Sequence, residues 1–471
     1  MKNLNQFYLL ALGALLITLT HMRFGLGMLV FIEPLPFIIY LNRTKGIKSK
    51  LLVLAFLFAG WSLATAKILS DPIPWFIMFA YGLPLAIFKF LPFMGYSYFK
   101  KNRLIEWIYP ALFVIGEWLQ TSFTPFASWG SAAYTQINNI VWLQSVSIGG
   151  IWLLSYFIYF IAFQLYLMIQ KGKPYHVSLK LVLPIIIVSV FGTMRIVIAD
   201  DTSRESVTVS AIGTNSIIGG PKLPSPEEQR KNLLRIYRRM ITASQAGAKL
   251  IVWTEAATGM LPEEEQSFQL EVSRLTDSLD VTAVVSYVIL TSVEPFHYDN
   301  KYILIDSTGT IQSVYHKHQP VPGEPCTPGT EPHTVFDMEG TQVGGAICYD
   351  YDFPALGREI SSLGADIVAV PSSDWRGIDP IHTQMAALRA IEGGYSLIRS
   401  TRWGLSAAVD RFGRVAGQLS DFNSEDKILI ASLPKQGART IYSVVGDWVV
   451  LVSGLIVLLA IILDRKKTPL E

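Results

Sequence analysis

Three polar residues, each placed directly after a run predicted to be a strand, could together carry out acyl transfer. They are Glu255, Lys317 and Cys348. In open α/β sheets, ligands collect outside the carboxyl ends of the strands, so side chains that are distant in sequence can converge there. A carboxylate can take the proton of a thiol, and a lysine can stabilise the thiolate and then an oxyanion. Together they supply a base, a stabiliser and a nucleophile for transfer through a thioester.

The cysteine lies in the window TQVGGAICYDYDFP, between a strand predicted over 341–347 and a helix predicted over 353–363. A thiol at such a turn lies near a helix N-terminus, whose partial positive charge favours the thiolate. The alternative is that Cys348 is a small buried apolar residue, as many free cysteines are. Cys326 is the only other cysteine, and two are too few for a disulfide framework. A bridge would silence the nucleophile, so we expect Cys326 to be a free loop thiol.

Each of the other two residues also has an alternative interpretation. Glu255 could be a helix-capping acid, and Lys317 could be an exposed loop lysine between His316 and His318. These histidines have no cysteine or carboxylate at the spacing typical of a metal site, so we predict no metal. A GxGxxG motif is absent from the sequence, which gives a dinucleotide cofactor no support.

From Ser206 onward, runs typical of strands and helices alternate. Ser225 and Pro226 are a typical helix start, because serine caps a helix and proline is favoured in its first turn. The order predicts an α/β layered domain with mixed sheets, either one large domain or a sandwich of two sheets between helices. The predicted strands are 207–212, 249–253, 281–290, 300–306, 311–316, 341–347, 366–370, 396–400, 405–410, 414–418 and 427–432, and the predicted helices are 226–246, 262–279, 353–363 and 379–393.

The first part of the chain has a different composition. The 471 residues are 51% hydrophobic and only 16% charged, below the usual fraction of about a quarter, and acidic residues are sparse before Asp200. The net charge of +2 suggests no polyanion, hence no nucleic-acid partner. Apolar runs near the length needed to cross a bilayer predict about eight spans. They lie at 6–22, 24–41, 51–69, 73–93, 104–120, 150–170, 179–198 and 444–463.

Lysines and arginines occur in alternate loops and after the last run, whereas residues 121–149 contain none. The positive-inside rule then places both termini in the cytoplasm and the soluble domain outside it. We expect a membrane domain over 1–200, an extracytoplasmic catalytic domain over 201–440, and a final span with a basic tail over 441–471. The basic residues used are Arg43, Lys45, Lys48, Lys50, Lys100, Lys101, Arg103, Lys171, Lys173, Lys180, Arg465, Lys466 and Lys467.

Glu117, in GEWLQ, is an acidic residue near the outer end of the fifth predicted span. An interfacial structural carboxylate and a functional one are both compatible with that position. The uncharged stretch PFASWGSAAYTQ that follows fits a loop on the membrane surface or the lining of a lipid entry path.

The windows VWTEAA, YHKHQPVPGE and GGAICYDYDFP resemble the three catalytic windows of the carbon–nitrogen hydrolase (nitrilase) superfamily. The downstream stretch HTQMAALRAIEGGYSLIRSTRWGLSAAVDRFGRV extends the resemblance over nearly the whole soluble domain. In the membrane half, EWLQ and WGSAAYTQINNIVWLQSVSIGGIWLLSYF resemble the apolipoprotein N-acyltransferase family. The resemblance implies an αββα sandwich domain carried by a multi-span α-helical membrane domain.

The resemblance also implies a role for each site residue. Cys348 would be the nucleophile, Glu255 the general base and Lys317 the lysine that stabilises the oxyanion. Glu324 would be a supporting acid, and Tyr349 would offer a backbone N–H to the oxyanion.

The reaction implied is the transfer of the sn-1 acyl chain of a phospholipid to Cys348, followed by attack of the α-amine of a diacylglyceryl-cysteine lipoprotein on the thioester. The partners would be the phospholipid donor, the diacylated apolipoprotein and the bilayer, with no cofactor and with a monomeric enzyme. The location implied is the bacterial inner membrane, with the catalytic domain on its periplasmic face. Alternatives are a membrane-tethered amidase, an acyltransferase with another amine acceptor, and a non-catalytic lipoprotein-binding protein.

The chain departs from the family pattern at three places. The family usually has Tyr-Glu after the cysteine, whereas this chain has Tyr349 followed by Asp350. The stretch after the first strand lacks the tryptophan that the family has there, and the loop after Lys317 is one residue shorter. These differences concern the positioning of substrates more than acyl transfer itself.

Overall fold

The chain folds as two units, one of which is interrupted in sequence by the other. The computed structural model describes residues 2–170, 179–199, 205–216 and 224–465. The helical unit comprises Met1–Val197 together with Val445–Glu471, and the α/β unit comprises Ile198–Val444.

The described residues form α-helices of very different lengths. In chain order they are α1 (Lys2–Thr20), α2 (Leu35–Arg43), α3 (Ile47–Ala66), α4 (Ile77–Phe99), α5 (Ile105–Phe123), α6 (Ile140–Leu143), α7 (Val146–Gln170), α8 (Leu179–Ala199), α9 (Pro226–Gln245), α10 (Glu265–Leu279), α11 (Pro354–Ser362), α12 (Ile381–Gly393), α13 (Ile441–Val445) and α14 (Trp448–Arg465).

The strands all belong to the α/β unit. They are β1 (Ser206–Ile212), β2 (Leu250–Trp253), β3 (Gly259–Met260), β4 (Thr282–Val293), β5 (Phe296–Ile305), β6 (Ile311–His316), β7 (Val335–Met338), β8 (Thr341–Gly345), β9 (Ile367–Ser373), β10 (Ser396–Arg402), β11 (Leu405–Val409), β12 (Val415–Ser420) and β13 (Ile428–Pro434).

Four helices of the described chain, α3, α4, α7 and α8, are long and apolar enough to cross a membrane. Shorter apolar helices occur at Gln6–Thr20 and Trp448–Asp464. The run at 24–41 is not one helix, because a 3₁₀ turn over Gly27–Phe31 precedes the nine-residue α2. Pro34 stands at the N-cap of α2, and nine residues rise only about 14 Å. The count of eight spans therefore remains a prediction, and Lys171, Lys173, Lys466 and Lys467 lie outside the described residues.

A buried ion pair joins three helices of the helical unit. Lys89 Nζ on α4 lies 2.5 Å from Glu117 Oε1 on α5, and the Tyr159 hydroxyl on α7 contacts both groups at 2.7 and 3.0 Å. The hydroxyls of Ser131 and Ser155 donate to Glu117 Oε2 at 2.8 and 2.7 Å. Every hydrogen bond that this carboxylate accepts serves to hold α5 against α4, α7 and the loop after α5, which favours the structural interpretation of Glu117.

The last helix, α14, docks on α5 and α7 through a shared carboxylate. Asp447 accepts hydrogen bonds from the indole nitrogens of Trp118 on α5, at 3.3 Å, and of Trp152 on α7, at 2.9 Å. A Cβ atom at Gly149 would lie 2.5 Å from a methyl group of Val449, so only glycine permits this close approach of α7 to α14.

The α/β unit is a sandwich of two sheets between helices. One sheet has the strand order β13-β1-β2-β4-β5-β6, with β3 beside β4, and the other has the order β12-β11-β10-β9-β8-β7. Apolar residues of both sheets form one core cluster between them. Helices α9 and α10 cover the outer face of the first sheet, and α11 and α12 cover the second. This is the αββα architecture that the family resemblance implies.

The strands and helices predicted for this unit match the observed ones closely, and the capping box of Ser225 with Glu228 is present. Three features differ from the prediction. The hairpin of β4 and β5 extends to Val293 and Phe296, because its polar ends pair even though they lack a buried face. The edge strand β7 was not predicted, since it is short and only partly buried, and β3 was not predicted because it has only two residues.

Glu117→Gln should destabilise the helical unit by about 3–5 kcal/mol, because it leaves the buried Lys89 ammonium uncompensated. Glu106→Gln is the matched control, since it removes the partner of the exposed Lys180 and should cost about 1 kcal/mol or less. Unfolding of the detergent-solubilised protein, followed by tryptophan fluorescence, measures both. Equal losses for the two variants would contradict the structural role of Glu117.

Candidate active site

The first sheet and the loop after β6 bring three predicted site residues together in one cluster. Lys317 follows β6, and its Nζ atom lies 2.9 Å from Glu255 Oε1 and 2.7 Å from Glu324 Oε2. Glu255 follows β2 of the same sheet, and its backbone N–H donates to the carbonyl of Ser372 on β9 of the other sheet at 3.3 Å. Lys317 is 2% exposed, so the pairing of these charges takes place away from bulk water.

The two oxygens of the Glu255 carboxylate differ in their surroundings. Oε1 accepts hydrogen bonds from Lys317 Nζ and, at 2.7 Å, from the Asn300 amide. Oε2 accepts no hydrogen bond from the described residues. The carboxylate is therefore held in place through one oxygen, and the other remains available to a proton.

Glu324 holds the lysine from the opposite side. Its Oε2 also accepts the Val321 N–H at 2.8 Å, and its Oε1 accepts the Tyr298 hydroxyl at 3.1 Å and the Asn300 amide at 3.2 Å. Burial would raise the pKa of Glu324, but Lys317 and these donors lower it below its usual value. Burial also opposes the charge of Lys317, yet the two carboxylates raise the lysine pKa well above its usual value. Both partners are therefore ionised at neutral pH.

Cys348 lies at the turn after β8, where it begins a 3₁₀ segment that ends at Asp352. Its φ angle is +46°, a left-handed conformation that residues other than glycine rarely adopt. Such a backbone persists only where its surroundings fix it, and it recurs at functional sites. The thiol is buried, with Sγ 3.6 Å from the carbonyl oxygen of Ser373.

The thiol is protonated at neutral pH in the resting protein. Burial raises the pKa of Cys348 well above its usual value, and the Glu255 carboxylate adds to this, whereas Lys317 and Arg399 oppose it. The expectation that a helix N-terminus favours the thiolate is therefore wrong for the resting state. The physical reason is desolvation, and the helix α11 starts only at Pro354, after the 3₁₀ segment.

Asp350 fastens the cysteine turn to the loop that follows Lys317. Its Oδ1 accepts the Gln319 N–H at 2.7 Å, and its Oδ2 accepts the Ile347 N–H at 2.9 Å and the Tyr315 hydroxyl at 2.8 Å. Burial raises the pKa of Asp350 to about 7, although these donors lower it. Asp350, which stands where the family usually has a glutamate, thus has hydrogen-bond donors for both of its carboxylate oxygens.

The remaining predicted site residues lie close by. Tyr349 is buried and packs edge-on against Phe353, with ring centroids 5.6 Å apart. The thiols of Cys326 and Cys348 are both free, as predicted, and both are buried. His316 pairs with Glu331.

One group in the described chain has donor types that suit a metal ion, namely Cys348, Asp374 and His382. Both imidazole nitrogens of His382 are already engaged, Nδ1 with Asp374 at 2.7 Å and Nε2 with Asp352 at 2.9 Å. The Arg399 guanidinium forms an ion pair with Asp374, with Nη2 3.0 Å from Oδ1. These contacts leave no nitrogen of His382 to bind a metal, and the group does not fit one.

The sequence interpretation missed three polar residues of the site. Asn300 bridges Glu255 and Glu324, and its signal was a polar side chain two positions before the apolar run YILI. Arg402 donates to the Ser373 hydroxyl at 2.9 and 3.1 Å, and burial lowers its pKa. Arg399 pairs with Asp374. A charge within a buried strand is rare enough to have indicated Arg399, whereas Arg402 lies beyond the predicted strand 396–400.

Comparison with known proteins agrees with this fold. The carbon–nitrogen hydrolase family model matches residues 208–442, and the model of the apolipoprotein N-acyltransferase N-terminal domain matches residues 13–164. The α/β unit is therefore a carbon–nitrogen hydrolase domain. Since the two models together match most of the sequence, the chain belongs to the apolipoprotein N-acyltransferase family.

Curated relatives match along most of their length. The apolipoprotein N-acyltransferase of Shewanella oneidensis is 27% identical over 436 residues, which cover 83% of this chain and 81% of the relative. That of Rickettsia bellii is 24% identical over 429 residues, 83% of each chain. Among solved structures, an amidase from Nesterenkonia sp. is similar at 21% identity, covering 50% of this chain and 92% of the amidase, with a TM-score of 0.39, which is too low to add support.

Asp350→Asn should slow the reaction of Cys348 with iodoacetamide by about tenfold or more, since small displacements of reacting groups have effects of this size. The amide would bring an NH₂ group towards backbone N–H donors and loosen the turn. Asp337→Asn, on the exposed β7–β8 hairpin, is the control and should react at the wild-type rate. Peptide mass spectrometry at Cys348 gives the rates, and equal rates for both variants would rule out this role for Asp350.

Proposed function

We propose that this protein transfers an acyl chain from a phospholipid, through a thioester on Cys348, to the N-terminal amine of a diacylglyceryl-cysteine lipoprotein. The observation that carries the proposal is the buried cluster of Glu255, Lys317 and Glu324 at the strand ends that also present Cys348. The names of the relatives support lipoprotein N-acylation as the activity.

In the first half-reaction, Glu255 Oε2 takes the proton of the Cys348 thiol as sulfur attacks the sn-1 ester carbonyl. The oxyanion that forms is stabilised by the Lys317 ammonium and by the backbone N–H of Tyr349. The lysophospholipid alkoxide then leaves and recovers the proton from Glu255, so that the thioester is the only new bond on the enzyme.

In the second half-reaction, the lipoprotein amine attacks the thioester carbonyl and Glu255 accepts one of its protons. The same oxyanion stabilisation applies, the Cys348 sulfur leaves, and the proton returns to it from Glu255. The products are an amide and the free thiol, so protons and bonds balance over the cycle. Because the thiol is protonated at rest, one carboxylate has to act as acid and base in both halves.

Glu324 and Asn300 act by holding the other two residues. Glu324 keeps Lys317 charged and fixed, while Asn300 bridges Glu324 and Glu255. A lysine already oriented towards the position of the oxyanion needs no reorganisation when charge develops there, which is the main source of this kind of stabilisation.

The main rival is an amidase in which water resolves the thioester. One observation favours an amine acceptor. Residues 13–164 of this chain match the model of the apolipoprotein N-acyltransferase N-terminal domain.

Purified full-length protein, incubated with a labelled phospholipid and a diacylated lipopeptide, should yield a triacylated lipopeptide. Without the acceptor, intact mass should show one acyl group on the enzyme, which Cys348→Ala abolishes and the matched control Cys326→Ala retains. Labelled fatty acid without triacylated product would favour the amidase. Acylation that persists in Cys348→Ala, or function in the cell envelope that survives it, would overturn Cys348 as the nucleophile.

We further propose the predicted organisation: eight spans, a membrane domain over 1–200, a catalytic domain over 201–440 on the periplasmic face of the inner membrane, and a final span with a cytoplasmic tail over 441–471. The distribution of lysines and arginines supports this orientation. We propose that the enzyme is a monomer, because the residues proposed for catalysis all come from one chain.

Fusions to alkaline phosphatase, which is active only outside the cytoplasm, test the orientation. We expect an active fusion at residue 440 and an inactive one at residue 471. The reverse pattern, or activity at both positions, would contradict it.

A further inference from the structure

Behind the cysteine turn, four charged side chains from four segments meet in a buried cluster that the proposed reaction does not use. His382 is the second residue of α12, Asp352 ends the 3₁₀ segment that Cys348 starts, Asp374 follows β9, and Arg399 lies on β10. All four are 4% exposed or less. His382 lies at the centre, with Nδ1 2.7 Å from Asp374 Oδ1 and Nε2 2.9 Å from Asp352 Oδ1.

The cluster adjoins the reacting sulfur. The Cys348 thiol has its Sγ atom within 4.8 Å of ligand atoms of both Asp374 and His382. Asp374 directly follows Ser373, whose carbonyl oxygen is 3.6 Å from the same sulfur. Asp352 and Asp374 therefore lie at the ends of the two segments that flank the thiol, and His382 connects them.

Only a doubly protonated His382 can donate to both carboxylates, because a neutral imidazole has one N–H. Burial and the Arg399 guanidinium, whose Nη2 lies 2.9 Å from Nδ1, oppose this charge, while Asp352 and Asp374 favour it more strongly. The pKa of His382 is raised to about 9 as a result. Arg399 donates to both oxygens of Asp374 at 3.0 and 3.2 Å, so two cations balance two anions.

The turn needs such support because Cys348 has a left-handed backbone. Asp350 fixes one side of the turn to β8 and to the loop after Lys317. Asp352 fixes its far end through His382 to the end of β9. We propose that His382 is a positioning residue that clamps the cysteine turn against the end of β9 and so keeps the Cys348 thiol within reach of Glu255 and Lys317.

This inference rests on the proposed role of Cys348 but not on the identity of the acyl donor. Two assays on the full-length protein separate the two questions. Alkylation of Cys348 by iodoacetamide reports on the position of the thiol alone, and acyl-enzyme formation from a phospholipid gives kcat and KM. If the wild type alkylates normally but is not acylated, the proposed function fails and alkylation still tests the clamp.

His382→Gln and Asp352→Asn should each lower the alkylation rate and kcat by about 30- to 100-fold, with KM unchanged within about twofold, since a displaced nucleophile binds its substrate but reacts slowly. The double variant should lose little more than either single one, because both break the same link. His297→Gln, on the exposed β4–β5 hairpin, is the matched control and should behave as wild type. If His382→Gln fails to fold, Asp352→Asn still tests the proposal, because asparagine retains the shape of the aspartate side chain.

The charge of His382 gives a readout that packing alone would not alter. Since folding raises its pKa from 6.5 to about 9, its stabilising contribution is complete below pH 6.5 and is lost as the pH rises through 9. The melting temperature of the wild type should therefore fall as the pH rises from 6.5 to about 9, and His382→Gln should lack this fall. Folded variants that react within twofold of wild type, a raised KM with unchanged kcat, additive losses in the double variant, or a pH dependence unchanged by His382→Gln would each overturn the proposal.

Discussion

The pairing of the Lys317 ammonium group with the buried carboxylate of Glu255 and the partly buried carboxylate of Glu324 is the interaction on which the arrangement of the site depends. A lysine and two glutamates alone would leave a net negative charge beside the thiol, and a thiolate there would add a second. The buried guanidinium of Arg402, which Glu255 helps to keep charged, offsets the first of these charges. The resting site is thus close to neutral with the sulfur protonated, and charge separation is confined to the moments of bond formation.

This constraint explains why the site needs both sheets. Glu255 and Lys317 come from the first sheet, whereas Cys348 and the carbonyl of Ser373 come from the second. The sheets pack closely at Gly345, where a Cβ atom would lie 2.5 Å from the hydroxyl of Tyr302. Tyr302 stacks on Tyr315, whose hydroxyl donates to Asp350, so the packing between the sheets leads directly to the cysteine turn.

Local patterns in the sequence were sufficient to predict most elements of the α/β unit and the three strand ends that carry chemistry, but not the short strands β3 and β7. They could not predict the strand order, because β1 lies between β13 and β2 and these pairings join distant parts of the chain. Asn300 and the cluster around His382 were missed for the same reason, since their partners are brought together only by the fold. The thiolate expectation failed because the sequence shows a nearby helix start but not the depth of burial. The predicted roles of Glu255, Lys317, Glu324, Tyr349 and Cys348 remain predictions that the geometry makes chemically coherent.

The interruption of the helical unit by the α/β unit has a consequence for biosynthesis. Asp447, which accepts hydrogen bonds from Trp118 and Trp152, leaves the ribosome only after the whole α/β unit has been made. Until then the two indole N–H groups lack this acceptor, and the flank of α7 at Gly149 lacks α14. A nascent chain therefore cannot finish its membrane part first, and a product truncated within the α/β unit keeps an uncovered helix flank that cellular quality control can recognise.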